Sequence, residues 1–146
     1  MVAVVLGILM TASVPRFQQT AQRLQTEQTA FALTQLLRYA HERAVAQGSA
    51  IVWVWDANAH RAHLELVRDD GESEPLNEHV ARSGSIRGEI TVTLARGNLE
   101  LYAVTFFPDG TSEPATLQIA DRAFSYTVTV DAATSQATLS TAPSAY

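Results

Sequence analysis

Met1-Val-Ala-Val-Val-Leu-Gly-Ile-Leu-Met-Thr-Ala-Ser-Val14 opens the chain without a charge, and Pro15-Arg16 passes it to a periodic segment reaching Gln47. That segment reads as helix. Phe17, Ala21, Leu24 and Phe31 recur at three-, four- and seven-residue steps, and Ala30, Leu33, Leu37, Ala40 and Ala44 follow on a neighbouring line. Gln, Thr and Arg fill the remaining face, and Gly48 stands where a C-cap belongs. Leu33, Leu37, Ala40 and Ala44 are therefore expected to pack the helix on its own sheet. Residues 17–29 carry a thinner stripe and are expected to protrude. Pro15 lacks an N–H and crowds the preceding turn, so a bend is expected where the apolar run ends.

The run itself is short. A membrane-spanning helix takes about 20 apolar residues, and residues 1–14 supply fewer. A secretory signal would carry basic residues ahead of the apolar core and a small-residue cleavage site after it. No basic residue precedes the run, and Ala12-Ser13-Val14 is a poor cleavage site. Two readings remain: a helix buried in a protein assembly, or a membrane anchor whose first residues precede this sequence. The second is favoured. In a soluble monomer such a run would be an aggregation hazard.

After Gly48 the period changes to two. Ala50-Ile-Val-Trp-Val-Trp55 is apolar on both parities, as in a central strand covered on both faces. Trp53 and Trp55 share one face and are expected beneath the helix rather than on an exposed partner surface. Asp56-Ala-Asn-Ala is turn chemistry, and Ala62, Leu64 and Leu66 alternate as a hairpin partner. Residues 68–75 form a polar, acidic loop, and residues 77–88 are poorly patterned. Ile90, Val92 and Leu94 alternate, and Arg96-Gly-Asn98 turns into one apolar segment over 99–107. In Phe106-Phe-Pro-Asp-Gly-Thr-Ser112, Pro108 fixes φ and Gly110 can take φ > 0. Strands over 116–120 and 124–130 follow, with Phe124, Tyr126, Val128 and Val130 on one face. Residues 136–139 would close the sheet, leaving a loose tail from Thr141.

At 146 residues the chain is one domain with an extension. Acids outnumber bases 15 to 10, which argues against a nucleic-acid binder. With no cysteine, disulfides and thiolate metal sites are excluded. His60 and His63 stand three apart, on opposite faces of a strand, so they do not converge on a metal. His41 and His79 are expected to be solvated. Asp69-Asp-Gly-Glu-Ser-Glu74 has oxygens enough for calcium but lacks alternate ligand spacing, so a solvated turn is favoured. Ser83-Gly-Ser85 is not a nucleophile elbow, and no phosphate-binding glycine loop is present. No catalytic, cofactor-binding or metal residue is assigned.

Assembled in this way, the chain resembles the type IV pilin-like superfamily, and within it the H-type minor pseudopilins of type II secretion, grouped with FimT-like minor pilins. Three stretches carry the resemblance. They are the apolar run with its embedded Gly7-Ile-Leu9 and Pro15, the passage from Leu36-Leu-Arg-Tyr-Ala40 through Arg43-Ala-Val-Ala-Gln-Gly48 into the first strand, and Phe107, Pro108, Asp109, Gly110 and Thr111. The family's run follows a basic leader ending in glycine and a Phe-Thr-Leu-Ile-Glu-like stretch. Neither stands here, so the resemblance implies an N-terminally truncated chain.

It implies an α+β fold: a long N-terminal helix packed on an antiparallel β-sheet domain. Residues 1–16 would be the membrane or filament-core helix, with Val2, Val4, Val5, Leu6, Ile8, Leu9 and Val14 as its contacts. Residues 17–47 would continue that helix, and 48–146 would form a periplasmic β-rich domain. The implied function is a structural minor subunit of the pseudopilus that drives export of folded proteins, single-pass in the bacterial inner membrane before assembly. The implied partners are other pseudopilins, major and minor, through the N-terminal helix, the inner membrane, and the secretion assembly platform. No cofactor, small-molecule substrate or nucleic acid is favoured. The nearer alternative is a FimT-like minor pilin of a type IV pilus, with DNA contact through a local patch such as Arg82 and Arg87. The more distant one is a soluble module that dimerises through residues 2–14.

Overall fold

The computed structural model describes residues 2–143, with side chains described from 20 to 141. One helix, α1 (Val2–Gln47), precedes nine strands. It ends where the sequence places its cap, at Gly48 with φ of +64°, a conformation glycine adopts without a Cβ penalty. Its backbone is helical through Pro15. The roles expected for Val2, Val4, Val5, Leu6, Ile8, Leu9, Val14 and Pro15 concern side chains outside the described ones.

The strands are β1 (Ile51–Asp56), β2 (Arg61–Val67), β3 (Ser73–Pro75), β4 (Thr91–Arg96), β5 (Leu99–Leu101), β6 (Ala103–Phe106), β7 (Ala115–Ala120), β8 (Phe124–Val130) and β9 (Ala137–Pro143). They form two antiparallel sheets, ordered β3-β2-β1-β6 and β5-β4-β7-β8-β9. A single segment over 99–107 is therefore a correction. The chain leaves β5, bends at Tyr102, and enters the other sheet as β6. The Tyr102 carbonyl accepts from the Trp55 amide at 2.8 Å, which ties the crossing point to β1. β5 buries none of its residues and Leu99 is 62% exposed, whereas Val104 and Phe106 of β6 are fully buried, so the apolar residues change parity at the bend.

That core lies between α1 and the two sheets. On the first sheet β1 presents Ile51, Trp53 and Trp55 inward, opposite Leu66, Leu64 and Ala62 of β2. Val52 and Val54 are only half-buried, so β1 is central in its sheet but dry on one face, unlike the expectation of cover on both. On the second sheet Leu94, Leu117, Ile119, Tyr126, Val128 and Val130 are buried. Ala30, Leu33, Leu37, Ala40 and Ala44 complete the same cluster from the helix. Three alanines in that line allow the helix axis to come close to the sheets, where a larger side chain would hold it off.

Several loops differ from the sequence reading. The acidic segment contains β3, which pairs with β2 through Val67↔Ser73 and is held by an Arg68–Glu74 ion pair. Residues 77–88 hold a 3-10 turn, His79–Ala81, with Ala81 and Ile86 buried. The tail is not loose at its start, since Thr141 to Pro143 pair with Tyr126 to Phe124. His60 sits in the β1–β2 turn at φ of +49° rather than in a strand.

Candidate functional site

Among the described residues no group of three His, Asp or Glu side chains converges as a metal site. The aspartates show where their oxygens are used. Asp56, Asp70, Asp109, Asp121 and Asp131 each accept backbone N–H bonds two or three residues on, at 2.7–3.0 Å. These side chains close turns. Backbone N–H donors hold Asp56 and Asp131 below the usual carboxylate range, and at Asp109 the Thr111 hydroxyl does so first, with the Thr111 amide beside it. Ser83 is used structurally too: its hydroxyl accepts from the Ala62 amide at 2.9 Å and donates to the Gly84 carbonyl.

The features with functional content are surfaces organised around α1. The inner face is the predicted seam, with Leu33, Leu37, Ala40 and Ala44 all fully buried. The seam reaches further down the helix than expected. Thr26 is 1% exposed, and its hydroxyl donates to Asp121 Oδ2 at 2.5 Å across to the β7–β8 turn. Burial would raise the Asp121 pKa, but hydrogen bonds from Thr26, Ala123 and Phe124 outweigh it and bring the group below its usual range. Arg87 donates to Gln25 Oε1 at 3.0 Å, and the Arg23 guanidinium lies 5.5 Å from the Phe124 ring centroid. The protrusion expected for residues 17–29 is thus corrected for its upper part. Polar contacts hold that stretch, so an apolar stripe count could not detect them.

The outer face of the helix carries a second apolar line that stays bare. Leu24 is 51% and Phe31 56% exposed, and Val45 is exposed as well. These positions are multiples of seven apart, so they form one line along the helix, interrupted at Arg38. Periodicity marks both lines, and burial separates them: Leu33, Leu37, Ala40 and Ala44 are buried while Leu24 and Phe31 are exposed.

A lateral strap flanks the seam. Residues 77–90 run beside α1 and are tied at one end by Glu78, which accepts from the Tyr39 hydroxyl and pairs with Arg43. The hydrogen bond to Glu78, with burial and the nearby carboxylate charge, raises the Tyr39 pKa. At the other end lies a groove of about 270 Å³, between Gln25, Gln28 and Thr29 of the helix and Ser83 to Arg87 of the strap. No sequence motif marked Glu78, and only its position opposite Tyr39 shows its use.

The Phe107–Thr111 turn docks at the helix end. Phe107 N–H donates to the Thr111 carbonyl at 2.8 Å, and Gly110 takes φ of +90°. Asp109 Oδ1 accepts from both the amide and hydroxyl of Thr111. The Ser135 hydroxyl donates to the Gly110 carbonyl at 2.9 Å, so the turn is also tied to the β8–β9 connection. A Cβ on Gly110 would stand 4.0 Å from His41 Cε1. His41 is half-buried here, not solvated, and its Nδ1 has no hydrogen-bond partner among the described residues. Pro108, Asp109 and their neighbours therefore build a structural turn.

These features match known proteins. The family model for Type II transport protein GspH matches residues 29–134, which runs from the docked helix through the β8–β9 connection. No curated protein sequence matches the chain. Among solved structures, the minor pseudopilin EpsH of the Vibrio cholerae type II secretion system superposes with TM-score 0.65 at 15% identity, over 84% of this chain and 96% of that one. The type IV minor pilin FimU of Pseudomonas aeruginosa superposes with TM-score 0.61 at 18% identity, over 86% and 93%. Because the family model spans most of the chain, including the seam, the strap and the signature turn, this protein belongs to the GspH family of type II transport proteins.

Proposed function

We infer that the chain is a structural minor pseudopilin of type II secretion, associating with other pseudopilins rather than catalysing a reaction. The family match over 29–134 carries this reading. The geometry supports it: a helix docked by one face leaves Leu24, Phe31 and Val45 bare on the other. Those positions continue toward the apolar residues Val2, Val4, Val5, Leu6, Ile8, Leu9 and Val14. Among the residues searched no helix is long and apolar enough to cross a membrane. In the proposed cycle the apolar run sits in the inner membrane with the β domain in the periplasm. On assembly it exchanges lipid for the helices of neighbouring subunits. Both surroundings are apolar, so burial from water is kept throughout. Pro15 loosens the helix where the two environments meet.

Single-cysteine cross-linking tests this, since the chain has no cysteine of its own. Phe31→Cys should cross-link to another pseudopilin in cells with the secretion system intact, and Glu72→Cys on the acidic loop should not. Absence of any Phe31 adduct, together with undisturbed secretion when the protein is deleted, would remove the reading. The resemblance of FimU keeps a type IV minor pilin as the related alternative. Salt-sensitive DNA binding by the protein, with pilus loss on deletion, would select it.

A further inference from the structure

The charges of this acidic chain are divided along the helix axis. The half of the domain beside helix residues 20–33 is identified by its contacts. Asp121 meets Thr26, Arg87 meets Gln25, and the Ile86 amide donates to the His60 carbonyl at 2.7 Å, bringing the β1–β2 turn to the same half. Of the 10 basic residues, Arg23, Arg61, Arg82, Arg87 and Arg122 belong to this half, and Arg16 precedes it on the helix. Of the 15 acidic residues only Glu27, Asp56, Glu89 and Asp121 do, which leaves eleven carboxylates against four arginines in the other half. Asp56 and Asp121 are occupied by backbone donors. The arginines divide likewise. Of the four in the far half, Arg43, Arg68 and Arg96 each pair with a glutamate and Arg38 donates to the Ala137 carbonyl, whereas Arg23, Arg87 and Arg122 have no carboxylate partner among the described residues.

We propose that this arginine-bearing end rests on anionic phospholipid headgroups and holds the domain upright on the membrane while the subunit awaits assembly. The inference depends on the membrane placement proposed above. Geometry allows the contact. Gln22 follows Val14 by eight positions, about 12 Å along a helix at 1.5 Å per residue. The headgroup layer fills roughly half of that, since it adds about 5–7 Å to each side of the hydrocarbon. The remaining gap is shorter than the screening length of about 8 Å at physiological salt. Long arginine stems can cover it, with their guanidinium groups reaching phosphate. The far half, dominated by carboxylates such as Asp69, Asp70, Asp109 and Asp131, is repelled by the same surface. A negative protein is thus held near a negative membrane in one orientation only. Withdrawal into a filament would break this contact, so the arginines act before assembly.

The test uses the whole chain in vesicles, with a donor dye on a unique cysteine and an acceptor on the lipid. Ala123→Cys labels the turn beside Arg122, and Ala133→Cys labels the β8–β9 connection in the far half. Flotation with vesicles reports anchoring separately. Energy transfer from position 123 should rise when phosphatidylglycerol is added to phosphatidylcholine, and fall back in 1 M salt, where the screening length is about 3 Å. Position 133 should remain low throughout. Arg87→Gln and Arg122→Gln, both on exposed side chains, should each shift the docking equilibrium about fivefold toward the lifted state. Transfer that ignores lipid charge and both substitutions, in a chain that floats, would overturn the inference and leave the membrane reading standing. A chain that floats with neither vesicle would overturn both. A probe that answers duplex DNA and not phosphatidylglycerol would assign the surface to nucleic acid instead.

Discussion

The two apolar lines on α1 make one sharp prediction about stability. Leu37 is fully buried in the seam, and Leu24 is 51% exposed one face away. Both become alanine by the same loss of side chain. At Leu37 the transfer cost of the lost carbons is about 2 kcal/mol. The core cluster it belongs to, which includes the fully buried Leu33 and Trp53, collapses only partly on such a loss and adds about 1–2 kcal/mol for the cavity. Leu37→Ala should therefore cost about 3–4 kcal/mol, and Leu24→Ala no more than about 0.5 kcal/mol. For a chain of this size that is roughly 8–15 °C of Tm against 2 °C or less. The assay is urea or thermal unfolding of the whole chain in mild detergent, followed by tryptophan fluorescence. Trp53 and Trp55 both lie on β1 within the core, so their emission reports this packing directly. Equal costs at the two positions, or a cost below about 1 kcal/mol at Leu37, would refute the assignment of the inner face.

Other outcomes follow from the same contacts. Gly110→Ala should lower stability by about 1–2 kcal/mol because φ is +90° there, although a Cβ has room, while Gly84→Ala should be near neutral; thermal melting separates them. The lowered Asp121 pKa contributes stability that is present above the unfolded value near pH 4 and is lost as pH falls through the lower folded value, so Tm should drop below about pH 4. Asp121→Asn should lower Tm at neutral pH and flatten that acid limb. Tyr39→Phe removes the donor to Glu78 and should cost about 1 kcal/mol, and the phenol of the unaltered protein should titrate above the usual range in an ultraviolet titration.

Much of the architecture was legible because local pattern and global fold agree. The change of period at Gly48 marks a real boundary, and Trp53 with Trp55 packs beneath the helix. The facing pairs Trp53↔Leu64 and Leu117↔Val128 follow from alternation once each strand is placed. Less legible were elements held by polar contacts between distant residues. The Thr26–Asp121 bond joins positions 95 apart, and Glu78 reaches Tyr39 from the strap. Such contacts leave no periodic trace, so the docked stretch of helix read as a protruding one.

From the residues alone come the helix, its end at Gly48, the inward faces of the strands, the Phe107–Thr111 turn and the absence of disulfide chemistry. These are consequences of side-chain polarity, glycine and proline geometry, and composition, all of which act over a few neighbouring positions. Tertiary structure alone decided that the strands divide into two sheets at Tyr102, and that the docked stretch of the helix extends down to Thr26. It also decided that Arg23, Arg87 and Arg122, without carboxylate partners among the described residues, gather at the end of the domain nearest the apolar run. Each of these depends on which segments become neighbours in space, and the free energy that selects neighbours is summed over the whole core rather than carried by any single stretch.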